Sequence, residues 1–104
     1  MTRTFNNTNF TLTTSESDIY VASSKTMTLL IQAINSTASN VTCEIWLTDA
    51  SNVHKACLMP SQAISSYNGI SDTNKHVIPS TYKIRGVANV DSAVYVEVST
   101  LEGL

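Results

Sequence analysis

Two histidines, two cysteines, eight acidic and six basic residues are all this 104-residue chain offers for acid–base, nucleophilic or metal chemistry. Catalysis needs such groups to converge, and here they are spread thinly. His54 and His76 stand far apart, outside any His-x-His or His-Glu-x-x-His pattern, so a zinc site is not expected. Cys57 follows His54 at i, i+3, which on a strand sets the two on opposite faces. A Cys–His nucleophile pair is disfavoured on that ground, and Cys43 with His54 is the pairing the sequence leaves open. Asp49 and Asp72 sit in turn-forming runs that lack the Asp-x-Asp-x-Asp-Gly of a calcium loop, so each reads as an Asx turn. Asn-x-Ser/Thr sequons at Asn6, Asn9, Asn35 and Asn40 are expected by chance in so Asn- and Thr-rich a chain. Trp46, Tyr20, Tyr67 and Tyr95 could stack on a sugar, although strand aromatics more often serve a core or an interface. The expectation is a protein that is not an enzyme and carries no cofactor and no metal.

The elements that would position these residues are strands. Apolar residues recur with period two, and no helical stripe emerges. The cleanest run is Val41 to Leu47, with Val41, Cys43, Ile45 and Leu47 on one face and Thr42, Glu44 and Trp46 on the other. Similar runs cover 10–13, 18–21, 26–34, 53–59, 81–87 and 93–101, and His76-Val77-Ile78 forms a short apolar patch before Pro79. Pro60 is expected to end the fifth run. Asn68-Gly69 is a strong turn signal because both residues tolerate positive φ, and Gly86 reads as a bulge. About eight short strands at this spacing predict an all-β fold, an antiparallel β-sandwich of jelly-roll or Ig-like type. The polar residues 1–9 are expected to be an extended N-terminal arm, with 10–104 as a single β-sandwich domain.

Composition narrows the partners. Charged residues make up 13% of the chain against about 25% in an average protein, while 37 residues are Ser, Thr or Asn. A net charge of −2 argues against nucleic-acid binding, and no run of 18 apolar residues points to a membrane span. The opening Met1-Thr2-Arg3-Thr4-Phe5 lacks the apolar stretch of a signal peptide, which favours free thiols at Cys43 and Cys57 over a bridge between neighbouring strands. Both cysteines read as small buried hydrophobes.

One feature exceeds what a solitary sandwich needs. Trp46 and Tyr95 fall on outward positions, and the 26–34 strand has no clean polar face, with Leu29 and Ile31 alternating with Leu30 and Ile34. Apolar residues on both faces call for a second partner. Phe5, Phe10, Trp46 and Tyr95 are therefore the expected interface residues.

Three stretches, taken in order, resemble small structural proteins of tailed-bacteriophage virions. The first runs from Thr13 through Asp18-Ile19-Tyr20-Val21 to Lys25-Thr26. The second runs from Asn35-Ser36 through Val41-Thr42-Cys43-Glu44-Ile45-Trp46-Leu47 to Asp49. The third is the closing Val94-Tyr95-Val96-Glu97-Val98-Ser99-Thr100-Leu101-Glu102. Two turns depart from the pattern, with Ala22-Ser23-Ser24 in place of Pro-x-Gly and Pro79-Ser80-Thr81 in place of Gly-Asp. The resemblance implies a β-sandwich without enzymatic activity, repeated symmetrically on a virion, and it transfers no active-site residues. The expected role is a capsid decoration (cement) protein, with a neck or tail accessory protein or a carbohydrate-binding module as alternatives. The expected partners are further copies of itself (a homo-oligomer) and the major capsid protein or another virion protein. The expected location is the virion, assembled in the host cytoplasm.

Overall fold

The computed structural model describes residues 3–104, and every regular element among them is a strand. In chain order these are β1 (Thr4–Thr11), β2 (Ser17–Val21), β3 (Thr26–Asn35), β4 (Val41–Thr48), β5 (His54–Ile64), β6 (Gly69–Asp72), β7 (Val77–Ile78), β8 (Lys83–Ala88) and β9 (Val94–Glu102). They form two antiparallel sheets. Sheet A runs β1-β9-β3-β6, with β7 also on β3, and sheet B runs β2-β8-β4-β5. The pairings nest: β4 with β5, then β3 with β6, β2 with β8, and β1 with β9. A long hairpin rolled up on itself gives this nesting, so the sandwich is a jelly roll rather than an Ig-type arrangement.

The core lies between the sheets and is built by period-two alternation. Ile31 and Ala33 of β3 and Val94, Val96 and Val98 of β9 face Val41, Cys43 and Ile45 of β4 and Ile84 of β8, all buried. Gly86 pairs regularly with Ile45 and is not bulged. It is glycine because a Cβ there would meet Ile19 Cδ1 at 2.9 Å and Leu12 Cδ2 at 3.1 Å. One end of the roll is tied by fully buried Asn35. Its Nδ2 donates to the carbonyls of Ser39 and Ile64 at 2.7 and 3.0 Å, and its Oδ1 accepts from Thr37 N–H at 2.9 Å. It thereby joins the β3–β4 and β5–β6 loops. At the other end the Tyr20 hydroxyl bonds Glu102, and burial first, then that carboxylate, push the phenol above its ordinary pKa.

Three local expectations change. Thr4–Thr11 is extended, as the sequence suggests, but pairs along its whole length with β9, so the expected arm is an edge strand of sheet A. Residues 1 and 2 of that arm lie outside the described residues. Edge position explains the polar composition of β1, since only Thr8 and Phe10 of it are even half-buried. Pro60 does not end β5, which runs on to Ile64, because an edge strand can spare the missing N–H on its open side. At the 65–69 turn the left-handed residue is Tyr67 (φ 55°), not Gly69. Gly69 instead lets β6 close on β3, where a Cβ would sit 3.2 Å from the Ala33 carbonyl.

Candidate assembly interface

The outer face of sheet A follows from strand register. Residues opposite one another on neighbouring strands share a face. At one end of the sheet, Phe5 of β1 pairs with Leu101 of β9, Leu101 with Met27 of β3, and Met27 with Val77 of β7. These four apolar side chains form one continuous row across four strands, with Phe5 64% and Val77 51% exposed at its ends. Two rows lie between this one and the far end: Asn7, Ser99 and Leu30, and then the wholly polar Asn9, Glu97, Gln32 and Ser71. At the far end Thr11, Tyr95 and Ile34 line up, and Tyr95 (51%) and Ile34 (40%) are open to solvent. Along the Thr11–Tyr95–Ile34 row and the polar row beside it lies a groove of about 600 Å³, lined by Asn9, Phe10, Gln32, Ile34, Tyr95 and Glu97 among others.

The outer face of sheet B is organised by charge. Arg85 of β8 donates from Nε to Asp18 Oδ1 at 2.7 Å and from Nη1 to Glu16 Oε2 at 2.8 Å. Lys83 lies 3.3 Å from Asp18 and donates to Asn52 at 3.0 Å. His54 Nε2 approaches Glu16 Oε1 at 2.6 Å, and the His54 ring stacks on Trp46 with centroids 4.2 Å apart and planes 16° from parallel. Trp46 is therefore half-buried under its own chain. Its indole Nε1 is buried and finds no hydrogen-bond partner among the described residues.

The four expected interface residues thus have different surroundings. Phe5 and Tyr95 stand exposed on the outer face of sheet A. Phe10 points inward, half-buried against the core, yet lines the same groove as Tyr95. Trp46 is on the other sheet and is roofed by His54. Sequence reasoning missed Val77, Leu101 and Met27. Their signal was present as apolar residues at outward positions, but the row exists only once β1, β9, β3 and β7 are aligned.

The chemistry of the lone titratable groups is also decided by position. Cys43 is buried, and burial, then the Glu44 charge, push its thiol up to about 11. Cys57 is exposed, contrary to its reading as a buried hydrophobe. Register shifts between β4 and β5 place it opposite Trp46 and place His54 opposite Thr48, so these two outward residues share a face despite their odd spacing. Residual burial and Glu44 raise the Cys57 thiol as well, the opposite of what a nucleophile needs. Cys43 lies on the inner face of β4 and His54 on the outer face of sheet B, so the pairing left open by the sequence is not assembled. His76 Nε2 sits 2.8 Å from Asp72 Oδ2 across the β6–β7 loop. Among the described residues no group of three or more His, Cys, Asp or Glu side chains is placed to hold a metal ion.

No protein-family model matches the sequence, and no curated protein matches it. Among solved structures, a chain described under "Bacillus endospore appendages form a novel family of disulfide-linked pili" is similar, with a TM-score of 0.56 over 96% of this chain and 83% of that one. At 11% identity the likeness is one of fold.

Proposed function

We propose that this chain is a non-enzymatic structural subunit that works as a repeated part of a larger assembly, and specifically as a decoration protein on a phage capsid. The observation that carries the reading is the outer face of sheet A, where Phe5, Leu101, Met27 and Val77 form an uncovered apolar row and Tyr95 and Ile34 a second. Contiguous exposed apolar surface of this kind marks interaction sites. Such a subunit would staple shell proteins by many weak contacts repeated through symmetry. The ordered resemblance to virion structural proteins supports the choice of particle. The Arg85 ion pairs to Glu16 and Asp18 and the Glu16–His54 contact on sheet B, and thiols raised rather than activated, fit a role without chemistry.

Two measurements test this. Sedimentation velocity should show a multimer, and the protein should co-sediment with phage shells stripped of their decoration. A monomer that ignores the shells would sink the reading. A second reading, a subunit of a fibre, is favoured by the fold likeness to the endospore pilus. Negative-stain microscopy separates the two, since a fibre subunit gives filaments in the absence of shells. Sugar binding through Trp46 is disfavoured by the His54 ring already stacked on it.

A further inference from the structure

Each sheet has open edges, and those other than β1 are guarded. β2 has five residues, a register shift between Asp18 and Tyr20, and a charge at Asp18. β5 contains Lys55 and Pro60 and slips register three times against β4. β6 and β7 have four residues and two. Short length, bulges, proline and charge are the devices that keep sheet edges from pairing. β1 has none of them. Its eight residues, Thr-Phe-Asn-Asn-Thr-Asn-Phe-Thr, are uncharged and run along β9 without a shift.

The phase of the ladder can be read from its last bond, in which Leu12 N–H donates to the Val94 carbonyl at 2.9 Å. Antiparallel bonding alternates along a strand, so the even-numbered residues of β1 bond β9. The N–H and C=O groups of Phe5, Asn7, Asn9 and Thr11 therefore point to the open side. The Asn7 N–H is met there by the Asn6 side chain at 2.9 Å, a bond that pairing would exchange for one across the interface.

We propose that β1 is a dimerisation edge, pairing antiparallel with β1 of a second copy about a two-fold axis at Thr8 and joining two A sheets into one. This rests on the structural-subunit reading and names its interface. A two-fold axis normal to the sheet sets the same faces side by side, so odd-numbered residues must oppose odd-numbered ones. With the axis at Thr8, Phe5 lies opposite Thr11 of the second copy, and Asn7 lies opposite Asn9. Beyond Thr11 come Tyr95 and then Ile34 on the same face. Phe5 of each copy then extends the exposed Tyr95–Ile34 row of the other and closes one side of the groove, twice per dimer. Phe5 and Tyr95 together span the roughly 9.5 Å of two strand spacings over the short Thr11. An axis at Asn7 would instead set Phe5 against Asn9 and beside the Glu97 carboxylate. Charge agrees with a copy as the occupant. The meeting strands carry none, and the nearby Glu97 and Glu102 carboxylates accept bonds from Asn7 and Asn6 Nδ2 at 3.5 and 3.3 Å.

A cysteine at the axis tests the geometry. Thr8 would face its own counterpart in a non-hydrogen-bonded pair, with Cα atoms about 4.5 Å apart, within disulfide reach. In a Cys57→Ser background, Thr8→Cys should cross-link into a covalent dimer on mild oxidation, and Asn6→Cys should give less than about a tenth as much. Asn9→Pro removes an N–H that β9 does not use, so it should leave the melting temperature near that of the parent and weaken dimerisation at least tenfold in sedimentation. Equal cross-linking from Asn6→Cys, or an unchanged dimer in Asn9→Pro, would overturn the β1 edge. So would a parent protein that binds shells yet sediments as a monomer. These results leave the structural-subunit reading standing, since only failure to bind shells as well as failure to multimerise defeats both.

Discussion

The outer surfaces of the two sheets answer the same problem in opposite ways. Each carries large apolar side chains at positions that alternation turns away from the core, Trp46 on sheet B and Tyr95 on sheet A. On sheet B the chain covers its own surplus. The register shifts of β5 bring His54 over Trp46, Glu16 holds His54, and Arg85 holds Glu16. On sheet A the residues flanking Tyr95 are Thr11 and Ile34, which leave it half-exposed. An outward aromatic therefore signals a partner only when the adjacent strand brings nothing to lay over it.

The comparison is most severely tested at Trp46. Trp46→Ala should destabilise the fold by about 2–3 kcal/mol in urea unfolding, below the core range because the ring is only half-buried. Trp46→Phe keeps a ring under His54 and deletes a buried N–H without a partner, so it should cost less than about 1 kcal/mol. Equal losses from the two variants would mean that the stack contributes little. Next in size, Arg85→Met leaves Glu16 with His54 alone and Asp18 with Lys83 alone, and should cost about 1–2 kcal/mol, shrinking in high salt as a partly exposed cluster is screened.

Sheet A has its own polar fastening at the far edge. Partial burial of Asp72 acts to raise its pKa, but bonds from His76 and the Asn74 N–H outweigh it and hold the carboxyl below its ordinary value. A carboxylate depressed by folding stabilises the fold above its unfolded pKa, about 3.9, and loses that effect as pH falls through the lower folded value. The gap in melting temperature between the parent and Asp72→Asn should therefore be full at neutral pH and close in the acid range below about pH 4. A gap that stays constant with pH would show that the carboxylate's charge is not what matters. Smallest of all, Ile34→Ser combined with Tyr95→Ser should shift unfolding free energy by less than about 0.5 kcal/mol. The same pair should reduce multimer formation and shell binding. A stability loss near that of Trp46→Ala would erase the distinction between the two faces.

Several parts of this arrangement were legible in the residues alone. Val41 to Leu47 could be assigned face by face because each inward position is apolar and both surfaces of a pleat are read by a period of two. The same arithmetic failed at His54 and Cys57, where bulges against β4 reset the parity, and bulges leave no mark in composition. It also failed at residues 4–9. An edge strand buries almost nothing, so its side chains carry no core signal, and it is held by main-chain bonds that any non-proline residue supplies.

Alternation, scarce charge and abundant β-branched residues were enough to specify a two-layer β fold, because burying one face of each strand is a local demand that every segment meets separately. Which outward side chains ended up covered was decided by tertiary structure. That outcome depends on the register of strands distant in sequence, which set His54 against Trp46 and left Phe5, Tyr95 and Ile34 in water.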